Sequence, residues 1–291
     1  MSDKNQIVFE KPLRVVKEMY RGKIIQIISN EIKVSVTPNQ HIARVARPGY
    51  PLQYVYAEEL LSKSEICIPL SGTYDGEISC PDYQAKLLAA FLADGYHSFE
   101  QTCWHLRKTR KQERLVKLFN EGGIKYKTFE RLNGAIEFKV PSMPFSKEIV
   151  PSLALKLSLQ TKIVILKELI HWDGTKSSSS SQSKYCCHIS SVRKNHIDFY
   201  ELLAVTSGWG CKRNVVIDPR NSSWSPLYTA NIVENRRATT LTTPQHEGSL
   251  EVSTVDDYSG TVFCLETSTS NFFVRYRGSV FITASSVGRG L

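Results

Sequence analysis

A repeat in the middle of this chain constrains its fold more than any other feature. Residues 87 to 96 read LLAAFLADGY, a Leu- and Ala-rich run ending in Asp94 and Gly95; residues 164 to 175 read VILKELIHWDGT, where Asp173 and Gly174 close a similar run. The segments downstream of the two runs match as well. After Asp94 come the alternating SFEQTCWHLRK, a helical KQERLVKLFNEGG stopped by glycine, then IKYKTFER, the turn LNG and AIEFKV. After Asp173 come KYCCHISS, a helical KNHIDFYELLAVTSGWG, CKRNVVID, the polar turn PRNSS and PLYTANI. Period-two alternation marks the strands, and helical periodicity with glycine stops marks the helices. Each half reads helix, strand, helix, hairpin, so the middle of the chain is an α+β duplication.

The aspartates at the ends of these runs pose an electrostatic problem. The C-terminal end of a helix carries partial negative charge, so a carboxylate there needs compensation. A single Ala-Asp-Gly is an ordinary helix C-cap; two copies with matching downstream segments suggest more. The small residues of the first run let two helices approach closely. If the copies pack about a pseudo-twofold axis, Asp94 and Asp173 meet, two like charges beside two helix ends, and a divalent cation would resolve the repulsion. Oxygen-only ligation favours Mg²⁺ or a similar hard ion, suited to phosphodiester hydrolysis.

Charge agrees with a polyanionic partner, 37 Lys and Arg standing against 28 Asp and Glu for a formal +9. Two basic clusters, HLRKTRKQER and CKRNVV, supply Arg107, Lys108, Arg110, Lys111, Lys212 and Arg213 as candidate contacts to double-stranded DNA. Solvated helix faces and strand ends are the alternative for the same residues. Seven cysteines form no C-x-x-C pair, which argues against zinc knuckles and redox motifs and fits reduced thiols. No run approaches the roughly 20 apolar residues of a membrane span. MSDKNQIVFEK has no apolar leader core. The expectation is a soluble, cytoplasmic, monomeric protein. The serine run 177 to 181 reads as a loop after Asp173.

The repeat resembles a known family. LLAAFLADG and VILKELIHWDG look like the paired motifs of a LAGLIDADG homing endonuclease, and FKVPSMPF is similar to the Lys-x-Pro segment between them. The resemblance implies that Asp94 and Asp173 bind the metal, that Gly95 and Gly174 match the glycines after them, and that Lys139 is a candidate catalytic lysine. His171 and Trp172 depart from the pattern, standing where smaller residues are usual.

The flanks are β-rich: RGKIIQIIS, EIKVSVTPNQHIARV and QYVYAEELL precede the repeat, and GSLEVSTV, GTVFCLET and NFFVRYRGSVFIT come after it. They resemble the two parts of an intein splicing domain, a mostly-β horseshoe fold of the Hint type, interrupted by the duplication. The resemblance places Thr37 near the N-terminal splice junction, with Gln40 where a histidine is usual and His41 one residue further on. It places Cys264 and Ser270 in the C-terminal motifs, Ser285 at the terminal Asn position with Ala284 before it, and Ser286 as the downstream nucleophile; a one-residue shift would put Ala284 at the Asn position instead. Neither Ala nor Ser can form the succinimide, so Asn cyclisation is not expected. The first intein motif is absent, which fits either truncation or a split intein whose N-terminal fragment comes from elsewhere. Expected boundaries are 1–78 and 244–285 for splicing, 79–243 for the endonuclease and 286–291 for downstream extein. A freestanding endonuclease or intron maturase, or a catalytically silent DNA-binding module, are the competing readings.

Overall fold

The computed structural model describes residues 6–29, 32–46, 51–63, 65–132, 134–176, 186–217, 225–242, 251–276 and 278–285. The chain divides into two compact units, one of residues 1–74, 208–212 and 235–291 and the other of 75–207 and 213–234. In chain order the first strands are β1 (Arg14–Ile28), β2 (Lys33–Val36), β3 (His41–Val45), β4 (Leu52–Tyr56) and β5 (Glu65–Pro69). The first copy of the repeat is next, as α1 (Asp82–Asp94), β6 (Gly95–Ser98), β7 (Gln101–Leu106), α2 (Thr109–Glu121), β8 (Lys127–Glu130) and β9 (Ile136–Pro141). After a short α3 (Leu153–Lys156) comes the second, as α4 (Leu159–Glu168), β10 (Thr175–Lys176), β11 (Cys186–Ser191), α5 (Lys194–Val205), β12 (Gly210–Val216) and β13 (Leu227–Val233). The chain then runs through β14 (Ala238–Thr242), β15 (Glu251–Glu266), β16 (Asn271–Tyr276) and β17 (Ser279–Ala284).

The strand order supports the duplication. The first copy forms a sheet in the order β6-β7-β9-β8, and in the second β10-β11-β13-β12 lie side by side in the corresponding order. In both, the strand after the long helix sits outside the last strand of the copy. α1 packs on α4, and α5 packs on β13. In α1 the buried residues are Ala85, Leu87, Ala89, Ala90, Phe91 and Leu92. α2 buries Lys111, Leu115, Leu118 and Phe119, spaced as one helical stripe. At the start of α4, the Ser158 hydroxyl accepts from the Thr161 N–H and Asp75 accepts from the Leu159 N–H at 2.7 Å.

The other unit, among the described residues, is β throughout apart from one 3-10 turn, Ala57–Ser62. Its strands are of unequal length, β1 and β15 far longer than β2. β1 and β15 pair antiparallel from Arg14 opposite Glu266 to Ile28 opposite Glu251, with the register slipping between Gly22 and Ile24. The inner half of β1 also pairs with β2 and supplies Ile25 and Ile27 to a core with Ile32, Ile42, Ala57, Leu60, Ile66, Ile68, Leu70 and Phe281.

The unit boundaries fall earlier than the expected 78/79 and 243/244. β14 pairs with β5 along its whole length, from Ala238 opposite Pro69 to Thr242 opposite Glu65, which ties 238–242 to the β unit. Residues 208–212 also belong there, since the Gly208 N–H donates to the Gly72 carbonyl at 2.8 Å. The expected PRNSS turn and serine run lie outside the described residues. No helix among the described residues is long and apolar enough to cross a membrane.

Lys162 has no solvent exposure, and burial holds its ammonium down at about 8, well below the ordinary 10.5. Below pH 8 it is charged in both states, and the burial penalty acts in full. Between about 8 and 10.5 the unfolded chain binds the proton and the folded chain does not, so stability rises with pH across that window. Urea midpoints should therefore rise for the wild type relative to Lys162→Met from pH 8 to 10; a difference that stays flat would remove Lys162 as the cause.

Candidate functional site

Asp94 ends α1, and Asp173 lies just past the 3-10 turn that continues α4, so each carboxylate stands where its helix gives out. The structure brings the two aspartates together. A single ammonium joins them: Lys111 Nζ donates to Asp94 Oδ2 at 2.5 Å and to Asp173 Oδ1 at 3.0 Å. Lys111 was a candidate DNA contact, and this corrects that expectation. Only 8% of its side chain is exposed, because it is the first residue of the buried stripe of α2.

Glycine comes after each aspartate for reasons of space. Gly95 has φ −78° and extended backbone, so no left-handed cap is formed there. A Cβ on Gly95 would lie 2.7 Å from Phe91 Cα, and one on Gly174 would lie 2.5 Å from Cys187 Sγ and 2.8 Å from the Leu169 carbonyl oxygen. Any side chain would push the turn away from the helix end and displace the aspartate before it.

Two more cations cover the carbonyls at these ends. Lys147 Nζ donates to the carbonyls of Leu92 at 2.7 Å and Ala93 at 3.1 Å, and burial lowers its own pKa to about 8. Arg110 donates to the carbonyls of His171 at 2.6 Å and Trp172 at 3.4 Å. One turn along α2, Arg114 pairs with the buried Glu168, whose Oε1 also accepts from Trp172 Nε1 at 3.0 Å. Trp172, where a small residue was expected, is thus fully enclosed and hydrogen-bonded. Arg110, Lys111 and Arg114 form a latch from the first copy onto the end of the second.

Lys139 does not join the aspartates. It projects from β9, where Glu137 lies 3.7 Å from its ammonium and the Phe129 ring centroid 5.1 Å away. Trp104 and Phe138 pack with Phe119 of α2, so alternation sends Cys103, Glu137 and Lys139 to the opposite face of the sheet. On that face Tyr96, Cys103, Lys139 and Lys127 stand in register, and Tyr96 donates to Glu137 at 2.6 Å. Arg131 also pairs with Glu137. Arg107 and Lys108 are exposed at the start of α2. Arg213 is an internal partner of Asp198 and Glu201, not an outward contact, and Lys212 is half-buried opposite Ser279.

As arranged, the pair does not fit a divalent ion. The two carboxylate oxygens already share the Lys111 ammonium, which fills the position between them. Among the described residues, no three His, Cys, Asp or Glu side chains are gathered around a common point. The two residues of the expected Mg²⁺ site, Asp94 and Asp173, are thus brought together with the Lys111 ammonium between their oxygens.

In the β unit, residues far apart in sequence converge on the end of β17. The Gln40 side-chain amide donates to the Ala284 carbonyl and, at 3.2 Å, to that of His41. Cys264 Sγ lies 3.9 Å from Ser285 Oγ, both residues buried, and the Ser285 N–H donates to the Ser270 carbonyl at 2.9 Å. Ser270 takes φ +54° to turn its carbonyl there. The Thr37 carbonyl closes the turn by accepting from Gln40 N–H at 3.0 Å. His41 instead stacks on Tyr56 at 4.6 Å between centroids. Ser286 lies outside the described residues.

No protein-family model matches the chain. A curated relative, ribonucleoside-diphosphate reductase subunit beta of Aquifex aeolicus (strain VF5), is 25% identical over 329 aligned residues. That match takes in 96% of this chain but 45% of the relative, so the chain spans less than half of that protein's length. Among solved structures, the N-terminal LAGLIDADG domain of DUF199/WhiA is similar at TM-score 0.37 and 11% identity, over 51% of this chain and 74% of that one. I-DmoI in complex with DNA and Mn is similar at TM-score 0.36 and 15% identity, over 54% and 92%.

Replacing Lys111 with Met leaves two carboxylates facing each other beside helix ends. Removing one partner of a well-buried pair costs about 3–5 kcal/mol. Asp173 is 39% exposed, and solvent screening brings the expected loss to about 2 kcal/mol. Asp94→Asn in the Lys111→Met background should recover about 1 kcal/mol of it. Urea unfolding of the four variants of this cycle checks it, and purely additive effects would refute the coupling.

Proposed function

We propose that the duplicated unit is a duplex-DNA-binding module of the LAGLIDADG homing endonuclease type, inserted into a β domain of the intein splicing type. The observation that carries the first half is the repeated strand order, β6-β7-β9-β8 in the first copy and β10-β11-β13-β12 in the second, around paired helix ends. The face of the first sheet turned away from its helices bears Lys127, Lys139 and Tyr96, with Arg107 and Lys108 exposed at the start of α2. Cations and aromatic groups in that arrangement suit phosphates and groove edges. The insertion reading rests on the β unit, whose strands come from both sides of the repeat and whose Gln40, Cys264, Ser270 and Ser285 meet at one point. A freestanding nuclease has no use for that convergence. A match that covers nearly all of this chain and under half of a reductase subunit is what an element hosted inside a larger polypeptide gives. An N-terminal intein fragment and flanking extein are the partners this reading adds.

Gel shifts on a library of duplexes should enrich a specific site in EDTA as well as in Mg²⁺. Affinity should fall steeply with salt, and Arg107→Ala with Lys108→Ala should weaken binding and flatten the slope of log K against log salt by about 1 to 2. Absence of any duplex preference over single strands would count against DNA recognition.

For the β unit, the chemistry of terminal Asn is the test. In Ser285→Asn, the side-chain amide nitrogen can attack its own carbonyl carbon and expel the amine of Ser286, forming a succinimide. Intact-mass spectrometry should show the wild type unchanged on incubation and Ser285→Asn losing residues 286–291, more slowly when Gln40→Leu is added. A stable Ser285→Asn chain would remove the support from the splicing assignment.

A further inference from the structure

The aspartate pair raises a question that the DNA-binding reading leaves open: what neutralises it. Two carboxylates and two helix C-termini of about half a charge each come to about three negative charges at this junction. Three cations of the chain answer them. Lys111 lies between Asp94 and Asp173, Lys147 lies on the carbonyls of Leu92 and Ala93, and Arg110 lies on those of His171 and Trp172. We propose that Lys111 is a built-in counter-ion that takes the place of a divalent metal and keeps the two-aspartate centre closed to one.

Geometry makes the two occupants exclusive. A hard ion such as Mg²⁺ binds oxygen at roughly 2.0–2.1 Å. To bridge Asp94 Oδ2 and Asp173 Oδ1 it would enter the volume that Lys111 Nζ holds at 2.5 and 3.0 Å from the same atoms. The ammonium is also hard to displace. Lys111 starts the buried stripe that continues through Leu115, Leu118 and Phe119, and Arg110 and Arg114 beside it on the helix are anchored to the second copy. The buried Glu168 offers the ammonium no second berth, since Arg114 and Trp172 already hold that carboxylate. The counter-ion belongs to the same centre as the proposed module but does not depend on DNA being bound.

Mn²⁺ binding to the full chain, monitored by the loss of the free-ion electron paramagnetic resonance signal, reads the centre directly. The wild type should take up no more Mn²⁺ than Asp94→Asn. Lys111→Met should gain a single site, at least about tenfold tighter than any wild-type binding, and lose it again when Asp94→Asn is added. Lys111→Arg, which keeps the charge, should exclude the ion as the wild type does. Uptake by the wild type that disappears in Asp94→Asn would overturn the proposal, as would a folded Lys111→Met chain that binds none. Lys111→Gln serves where Lys111→Met fails to fold by circular dichroism, and the wild-type comparison with Asp94→Asn decides on its own. Gel shifts in EDTA on the same samples separate the two claims: loss of DNA binding with Mn²⁺ still excluded would sink the module's function and leave the counter-ion in place.

Discussion

The ammonium of Lys111, shared by Asp94 and Asp173, is the contact on which the duplicated unit depends. Two helices can end together with carboxylates only if something positive stands between them, and here the chain supplies it from the next helix of the first copy. Other features of the unit serve that meeting. Gly95 and Gly174 let the chain turn tightly against each helix end. The hydrophobic stripe of α2 fixes the height at which Lys111 enters.

The duplication was legible because it rests on periodicity and punctuation, which are local properties. The strands and helices expected after each aspartate appear in order, with one further strand, β6 or β10, directly after each aspartate that the alternation did not mark, and the equal strand orders arise from equal connections. The meeting of the two aspartates was legible too, from their positions at the ends of apolar runs. What compensates them was not. Counted by composition, Lys111 belonged to a basic cluster, and its neighbours Arg107 and Lys108 are indeed exposed. The signal that could have found it was spacing: Lys111, Leu115, Leu118 and Phe119 fall on one face of a helix, and a lysine on an apolar face has a buried partner. Lys139 drew attention through its Lys-x-Pro context, yet strand alternation turns it to the face away from the helices. The partner of a buried charge is a long-range property, here spanning 17 and 62 residues, which no window of sequence contains.

The β unit shows the same division. Alternation predicted its strands, but the pairing of β14 with β5, which sets the boundary, joins segments on opposite sides of the repeat. Around Ser285 the structure puts Gln40, at the position where the resemblance expects a histidine and one residue before His41, against the Ala284 carbonyl. His41 alternates to the other side of β3 and stacks on Tyr56. In a strand, a shift of one residue exchanges faces, so a single-residue departure from a motif decides which side chain can reach the site.

Duplication normally suggests two equal halves, and the charges here argue against that. Arg110, Lys111 and Arg114 of the first copy reach His171, Trp172, Asp173 and Glu168 of the second directly, whereas the second copy reaches the end of α1 by way of Lys147, whose carbonyl Asn195 and His196 contact. The corresponding helix of the second copy, α5, turns its own acidic residues Asp198 and Glu201 to Arg213 within that copy. Trp172 is part of this asymmetry. A small residue at its position would leave Glu168 with one fewer donor, whereas the indole fills the space and satisfies the carboxylate that Arg114 anchors. The bulky second motif is therefore coupled to the basic face of α2, and the two copies hold one centre by unequal means.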